Sequence, residues 1–335
     1  MAMPRVLIPA MTTPPARPVG GTVRAFGGAT MGTTWSVKAV LPATTDLLAL
    51  EAMVQRALDT VVAEMSPWEP LSDLSRYNRA APGTWTQLPA AMAAVLRRAI
   101  EVAERSHGAF DPTLGALTEL WGFGPRPFSG APPPAGDIMP LRDAMGWTRL
   151  TLDGDALLQP GGVRLDLNGI AKGFGVDQAA TALDRAGVKS YLVEVGGELR
   201  GVGAKPDGQP WWVELERPPP KGLAANDAEK TVVALHDLSV ATSGDYRRFF
   251  DHDGRRYAHT LDPATGAPTT HATVSVTVLA KDCMSADAWA TALTVMSPDA
   301  ALAFAAEHDL AALIVSGRSD GLEERLSPAL RAMLD

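Results

Sequence analysis

The sequence predicts an α+β fold. Strand-like segments come in runs that helices interrupt at irregular intervals, and the regular strand–helix alternation of a parallel sheet is missing. The chain has 335 residues, of which 46% are hydrophobic and 20% are charged, a composition that is typical of globular proteins. This length suits one large domain or two ordinary ones.

The composition also disfavours several classes of protein. A net charge of −8 argues against a nucleic-acid partner, because non-specific binding of that kind depends on basic patches. The only cysteine, Cys283, excludes an internal disulfide and a cysteine-based metal cluster. No segment approaches the roughly 18 apolar residues of a membrane span.

The chain is predicted to divide into a tail and one domain. Residues 1–22 are rich in Pro and Thr and are expected to be a flexible tail. Its apolar piece "VLIPAM" is too short and too proline-broken for a signal peptide, so the sequence as written favours the cytoplasm. The domain, 23–335, has three predicted parts: a helix-rich part (23–124), a Pro-rich loop (125–140) and a strand-rich part (141–335).

The helix-rich part begins with a strand pattern, "RAFGGATMGTTWSVKAVL", which glycines interrupt. A helix follows in "DLLALEAMVQRALDTVVAEM", with Asp46 as its N-cap. After a predicted polar loop, "SPWEPLSDLSRYNRA", a second helix ends near Gly108, a candidate C-cap. A shorter third helix is predicted to begin near Pro112.

The strand-rich part alternates strands with two helices. The predicted helices are "KGFGVDQAATALDRAG" and "SADAWATALTVM". The predicted strands are "WTRLTLDG", "ALLQPGGVRLDLNG", "YLVEVGGELRGVG" and "PWWVELERP". The pair Gly196-Gly197 after an apolar strand indicates either a bulge or a close approach to a ligand.

Two segments carry residues suited to phosphate and metal. A strand with Asp166 is predicted to lead into a helix starting near Ala171, where backbone N–H groups and Lys172 can hold a phosphate. An Asx turn before a surface helix explains the same residues. Asp287 and Thr291 lie four apart on one helix face and are hard oxygen ligands of the kind that Mg²⁺ accepts. A purely structural explanation also holds: the helix dipole favours Asp287 near the helix start, and the Thr291 hydroxyl can bond to its own helix backbone.

The stretch "HTLDPATGAP" is a turn with one histidine, His259, at the end of a strand. Pro and Gly account for the turn but not for the histidine. A lone histidine is either structural or catalytic, and no Ser-His-Asp order or HExxH motif supports a hydrolase or a zinc site. Small hydroxyl and backbone groups in "GGATMGTTW" and "PLSDLSRYN" suit a nucleotide or a ring edge, and a turn or a helix cap explains each of them as well.

Together and in this order, the segments resemble a known family. The chain is similar to the ApbE family, the FAD:protein FMN transferases, over about residues 25 to 300. The matching blocks are "ATMGTTW", "MSPWEPLSDLSRYN", "GAFDPTLGALTELWGFGP", "DLNGIAKGFGVD", "YLVEVGGELRGVG", "VATSGDY", "HTLDPATGAP" and "SADAWATAL".

The resemblance implies an ApbE-like, T-fold-related α+β fold of mixed sheets with packed helices. It places an FAD cleft between the helical first part and the strand-rich second part. The family cleaves FAD with Mg²⁺ and transfers FMN to a Thr or Ser of an acceptor protein, with release of AMP. Its acceptors are respiratory and electron-transfer proteins, and its members are commonly exported or lipid-anchored, which implies the periplasm or cell envelope.

The resemblance also implies residue roles. Asp287 and Thr291 would ligate the metal, together with a backbone carbonyl at Gly169, and His259 would act as general base. The residues expected to line the FAD site are Met31, Ser72, Asp111, Asp166, Lys172, Glu198 and Thr260. Two alternatives stay open: a Mg²⁺-dependent FAD pyrophosphatase that gives FMN and AMP, and a non-catalytic flavin-binding protein.

Overall fold

The structure is a computed structural model that describes residues 4–10, 16–18, 20–126, 128–218, 230–318 and 321–335. The helices in these ranges are α1 (Leu47–Met65), α2 (Asp73–Asn78), α3 (Ala90–Arg105), α4 (Gly115–Leu120), α5 (Ala135–Ala144), α6 (Asn168–Arg185), α7 (Cys283–Val295), α8 (Pro298–Glu307) and α9 (Pro328–Arg331). The strands are β1 (Arg5–Leu7), β2 (Thr22–Thr30), β3 (Thr33–Leu41), β4 (Trp85–Gln87), β5 (Thr151–Asp153), β6 (Ala156–Leu158), β7 (Tyr191–Val195), β8 (Glu198–Val202), β9 (Trp211–Glu214), β10 (Thr231–Leu235), β11 (Leu238–Gly244), β12 (Phe249–His252), β13 (Arg255–Ala258), β14 (Leu261–Asp262), β15 (Ala267–Pro268), β16 (Thr273–Ala280), β17 (Ala311–Arg318) and β18 (Gly321–Leu326).

An eight-stranded sheet forms the centre of the molecule, in the order β18-β17-β16-β11-β8-β7-β3-β2. Every neighbouring pair in it is antiparallel. Successive side chains of a strand point to opposite faces, and β3 follows this rule. Trp35 and Val37 face the helices, whereas Val40 packs against the core on the other side. The sheet therefore has an apolar layer on each face, and the predicted α+β class is confirmed.

Helices α1, α3, α6 and α7 cover one face of this sheet. Leu58 of α1 and Val176 of α6 pack on Val37 of β3 in one buried cluster. Trp289 of α7 and Leu96 of α3 belong to a second cluster, which reaches β16. Helices α6 and α7 thus lie at the centre of the helical layer. None of the described helices is long and apolar enough to cross a membrane.

A small sheet, β1-β10-β9, and helix α9 cover the opposite face. Strand β1 pairs in parallel with β10, with Leu7 opposite Val233, and Leu7 is fully buried. The prediction of a flexible tail over residues 1–22 is therefore wrong for residues 5–7. Burial of Leu7 stabilises a strand that is too short to recognise locally. Residues 1–3, 11–15 and 19 of that tail lie outside the described residues.

Two predicted loops contain helices. The polar loop after α1 holds α2, because Ser72 caps it by accepting a hydrogen bond from the Ser75 amide at 3.0 Å. The predicted Pro-rich loop 125–140 ends in α5, whose N-cap is Pro134. Pro134 has the extended backbone of an N-cap residue, with φ of −66° and ψ of 150°. Pro127 in this loop lies outside the described residues.

The segment that carries Asp166 is not the predicted strand. It forms one isolated bridge, between Leu114 and Arg164, and the Asp166 amide donates to the carbonyl of Pro112 at 2.8 Å. Helix α6 begins at Asn168, three residues before the predicted start at Ala171. The Asp166 carboxylate, which precedes the N-cap Leu167, accepts from the Asn168 amide at 2.9 Å and so satisfies one of the free amides at this helix start.

Candidate active site

A cleft opens where α4 and the turn before it meet the ends of α6, α7 and β11. This position lies between the helix-rich part and the strand-rich part, as predicted. Its walls come from five segments that are distant in sequence. The lining residues include Phe110, Asp111, Thr118, Phe123, Asp166, Asn168, Gly169, Lys172, Thr242, Ser243, Arg247, Arg248, His259, Thr260, Asp287 and Thr291.

The floor of the cleft is the contact between α6 and α7, which run antiparallel. A Cβ added to Gly169 would lie 2.9 Å from Oγ1 of Thr291. A Cβ added to Gly173 would collide with the carbonyl oxygen of Cys283 and lie 2.8 Å from Cβ of Asp287. Residues four apart share a helix face, so the two glycines meet one side of α7 over a full turn. Only glycine permits this approach.

Asp287 is nearly inaccessible and is held by α6. Its Oδ2 accepts a hydrogen bond from the Gly173 amide at 2.9 Å, and its side chain belongs to the lining of the cleft. Burial raises the pKa of this carboxyl, while the positive charge of Lys172 lowers it. Thr291, one turn later, has its Oγ1 3.4 Å from the carbonyl oxygen of Gly169 and 3.2 Å from Oγ of Ser243.

The residues present fit a magnesium ion. Asp287, Thr291 and the Gly169 carbonyl offer three hard oxygens, and Oδ1 of Asp287 has no protein hydrogen bond within the described ranges. A buried carboxylate of this kind is stabilised by a cation. The described residues contain no group of three or more His, Cys, Asp and Glu that could hold a metal. Mg²⁺ would therefore complete its shell with water and substrate phosphate, which is its usual behaviour.

The half-buried Lys172 and the fully buried Glu198 form an ion pair at the base of the cleft, with Nζ 2.6 Å from Oε1. Burial lowers the pKa of Lys172, but the negative charges of Glu198 and Asp287 outweigh it, so the pKa lies above its ordinary value. Burial raises the pKa of Glu198 to about 7 against the effect of Lys172. Oε2 of Glu198 has no partner among the described residues. Glu198 therefore holds Lys172, and Lys172 lines the cleft.

His259 is fixed by one backbone carbonyl. Its amide donates to the carbonyl oxygen of Arg248 at 3.0 Å, and its Nδ1 lies 3.1 Å from the same oxygen. A carbonyl only accepts, so Nδ1 carries the proton and Nε2 has the lone pair in the neutral ring. Burial, and then the charge of Arg248, lower the pKa of His259 to about 4. The ring is therefore neutral at pH 7.

Two buried aspartates shape the wall above the floor. Asp111 accepts hydrogen bonds from the backbone amides of Thr113 at 2.8 Å and Trp147 at 3.2 Å. Asp166 accepts from the amide of Asn168 at the start of α6. Burial raises the pKa of both carboxyls, and these hydrogen bonds lower it. Thr260 also lines the cleft, one residue after His259.

Met31 and Ser72 do not line the cleft. Ser72 uses its hydroxyl within its own loop, where it caps α2 and donates to the carbonyl oxygen of Ser66 at 2.7 Å. Met31 lies in the turn between β2 and β3 with φ of 49°, and its methyl group is close to Gly175 of α6. The contact of both residues with FAD stays a prediction.

Two arginines of the cleft were not found from the sequence. A nitrogen of Arg248 donates to the carbonyl oxygen of Phe123 at 3.1 Å, and its guanidinium lies 5.7 Å from the ring centroid of Trp68. Arg247 donates to the carbonyl oxygen of Gly196 at 2.8 Å and pairs with Glu216. The available signal was "DYRR" after the last residue of β11, Gly244, where two adjacent cations follow an acidic and an aromatic residue.

Comparisons with known proteins show the family of this chain. The profile of the ApbE family matches residues 31–314. The chain belongs to the ApbE family. It is 36% identical over 311 residues to the FAD:protein FMN transferase of Vibrio cholerae, with 92% of each chain covered. It is 31% identical over 328 residues to the enzyme of the same name from Escherichia coli K12, with 96% of this chain and 92% of the relative covered.

Solved structures of the family have the same fold. The apo form of flavinyl transferase ApbE from Pseudomonas stutzeri superposes with a TM-score of 0.85 at 37% identity, covering 93% of this chain and 97% of that one. ApbE from Vibrio cholerae gives a TM-score of 0.86 at 34% identity, covering 94% and 100%. The predicted ApbE-like fold is thus confirmed.

Proposed function

We propose that this protein transfers FMN from FAD to a Thr or Ser hydroxyl of an acceptor protein and releases AMP, with Mg²⁺ as the metal. The single observation that supports this best is the arrangement of the cleft. A neutral histidine, a half-buried lysine and an Asp–Thr oxygen pair face one space. The curated relatives are FAD:protein FMN transferases, so flavin transfer is the activity that this family membership favours.

The metal would be held by Asp287, Thr291 and the carbonyl of Gly169. When bound, Mg²⁺ supplies positive charge that neutralises phosphate oxygens. Lys172 contributes a second positive charge, because its ion pair with Glu198 keeps the ammonium protonated within reach of the same space. These groups favour a transition state in which charge builds up on the transferred phosphoryl group.

His259 acts as the base. A hydroxyl is a weak nucleophile at its ordinary pKa, so a group that takes its proton accelerates attack. Nε2 of His259 accepts the proton while Nδ1–H stays bonded to the carbonyl oxygen of Arg248. The acceptor oxygen forms a bond to the FMN phosphorus, the phosphoanhydride P–O bond breaks, and AMP leaves with that bond's oxygen. A nearby diphosphate raises the pKa of His259 from about 4 towards neutrality.

The acceptor proposed from the family resemblance is a respiratory or electron-transfer subunit with a target Thr or Ser. The arms of one assay separate the candidate functions. FAD, Mg²⁺ and an acceptor domain are incubated with the protein, and AMP, free FMN and bound flavin are quantified by chromatography. AMP in equal amount to bound flavin supports transfer. AMP with free FMN favours a pyrophosphatase, and intact FAD retained on the protein favours a binding role.

A variant pair tests the base in the same assay. His259→Ala should lose AMP release while FAD stays bound. His252→Ala is the matched control, because His252 lies on the nearby hairpin strand β12, outside the cleft lining. Equal activity of the two variants would contradict the role of His259.

A further inference from the structure

The start of α7 is bound by a carboxylate from α6. Oδ1 of Asp177 accepts from the Cys283 amide at 3.0 Å, and Oδ2 accepts from the Met284 amide at 2.9 Å. The first amides of a helix have no carbonyl partner within the helix, so they need an acceptor from elsewhere. The N-cap Asp282 binds only the next amide, that of Ser285, at 2.8 Å. Asp177 therefore completes the start of α7.

The contact between the two helices is reciprocal. Asp177 of α6 binds backbone amides of α7, and Asp287 of α7 binds the Gly173 amide of α6. Gly173 lies one turn before Asp177, at the point where the helices are too close for a Cβ. Each helix thus gives one carboxylate to the backbone of the other, and the pair is fixed at two successive turns.

Arg200 of β8 ties this contact to the central sheet. Its guanidinium lies 3.5 Å from Oδ1 of Asp177 and donates to the carbonyl oxygen of Lys281 at 2.5 Å, just before α7 begins. Burial raises the pKa of Asp177 to about 6, and the two amides and Arg200 oppose that rise. The carboxylate is therefore ionised at pH 7.5, where charge-assisted hydrogen bonds to the amides are stronger than neutral ones.

We propose that Asp177 is a positioning residue for the metal site: it fixes the start of α7 so that Asp287 and Thr291 stand opposite Gly169. This inference rests on the proposed function. Thr291 lies eight residues after Cys283, about 12 Å along the helix axis. A tilt of about 5° at the start of α7 would move Thr291 by about 1 Å, and catalytic sites lose activity when groups move that far. Asp177 itself lies outside the lining of the cleft.

The alternative is that Asp177 only stabilises the fold. Asp184 provides the matched control, because it lies on the same helix, accepts a hydrogen bond from the Tyr191 hydroxyl at 2.9 Å, and forms no hydrogen bond or ion pair with α7 among the described residues. Asp184→Asn removes a carboxylate charge from α6 as Asp177→Asn does. If loss of a carboxylate charge acted only through the stability of the fold, Asp177→Asn and Asp184→Asn would change metal affinity to the same extent.

The test is the affinity of the full-length protein for Mn²⁺, used as a spectroscopic probe for Mg²⁺ and measured by electron paramagnetic resonance without FAD. We expect Asp177→Ala to weaken Mn²⁺ binding by about 10-fold, the lower end of the cost of losing an outer-shell partner. Asp177→Asn should lie between, because its amide oxygen still accepts from one of the two amides. Asp184→Asn should bind as the wild type does, whatever its melting temperature.

The outcomes distinguish the positioning role of Asp177 from the assignment of the metal site. Wild-type affinity in both Asp177 variants would overturn the positioning role and leave the proposed function untouched. A wild-type protein that binds no Mn²⁺ would overturn the metal assignment, and with it this inference. Should Asp177→Ala fail to fold, Asp177→Asn, which keeps the size of the side chain, decides the question by itself.

Discussion

The carbonyl oxygen of Arg248 lies 3.1 Å from Nδ1 of His259, and this contact determines which ring nitrogen is free. Arg248 acts on His259 in a second way, because its guanidinium charge helps to lower the pKa of the imidazole to about 4. One residue therefore orients the candidate base through its backbone and keeps it neutral through its side chain.

Removal of the imidazole should slow transfer without loss of FAD. We expect His259→Ala to lower the rate of flavin transfer by about 100- to 10,000-fold, the range for a general base. The dissociation constant for FAD should change only a few-fold, because the phosphate-binding groups remain. Single-turnover kinetics and fluorescence titration of FAD measure the two quantities. Parallel losses of rate and affinity would indicate a binding role instead.

Flavin transfer should slow down as the pH falls towards the pKa of His259. His259 accepts a proton only when neutral, so the rate is full above its pKa and is lost as pH falls through it. In the free protein this pKa is about 4, and the FAD diphosphate raises it in the complex. We therefore expect the acid limb of kcat at a higher pH than that of kcat/KM, since the two report bound and free enzyme. Coincident limbs would contradict this.

The charge of Arg248 should be measurable at His259. Arg248→Met removes the guanidinium but keeps the backbone carbonyl, so the pKa of His259 should rise towards its ordinary 6.5. The ring proton chemical shift of His259, followed by NMR against pH, gives this value. Arg255→Met is the control, because Arg255 lies over the Tyr257 ring and not in the cleft. An unchanged pKa of His259 in Arg248→Met would show that the charge of Arg248 does not contribute to the shift.

Loss of the carboxylate charge at Asp287 should abolish turnover, and with it the increase of the rate with Mg²⁺ concentration. Asp287→Asn keeps the size of the side chain and can keep the hydrogen bond from Gly173. The loss should exceed the roughly 10- to 100-fold that outer-shell changes cost, because Asp287 would touch the metal. Rates against Mg²⁺ concentration measure it, with exposed Asp299→Asn as control. Wild-type Mg²⁺ dependence in Asp287→Asn would contradict the assignment.

The close contact of α6 and α7 predicts a stability effect. Gly173→Ala places a Cβ against the carbonyl oxygen of Cys283, and overpacking of this kind costs about 1–3 kcal/mol. Gly136→Ala in α5 is the matched control, because nothing lies within 4 Å of its added Cβ. Denaturant unfolding should show a lower free energy of unfolding for Gly173→Ala and no decrease for Gly136→Ala. Equal free energies of unfolding for the two variants would mean that α6 and α7 can move apart at little cost, which would contradict a tight contact.

Local patterns account for much of what the sequence predicted. The spacing of Asp287 and Thr291 places both on one helix face, and Asp46 caps α1 as expected. Contacts between distant segments were not predictable in this way. Strand β1 depends on a partner more than 220 residues away, at β10. The hairpin β12–β13 pairs Phe249 with Ala258 and so brings Arg248 beside His259, but its place over the cleft depends on distant contacts such as that of Arg248 with the Phe123 carbonyl.

Flavin transfer is tested most simply by the intact mass of an acceptor domain after incubation with this protein, FAD and Mg²⁺. We expect a gain of one FMN on an acceptor with its target Thr. We expect no gain when that Thr is replaced by Val, when EDTA is present, or with His259→Ala. An unmodified Thr acceptor, in a reaction where the protein has consumed FAD, would contradict flavin transfer and favour hydrolysis.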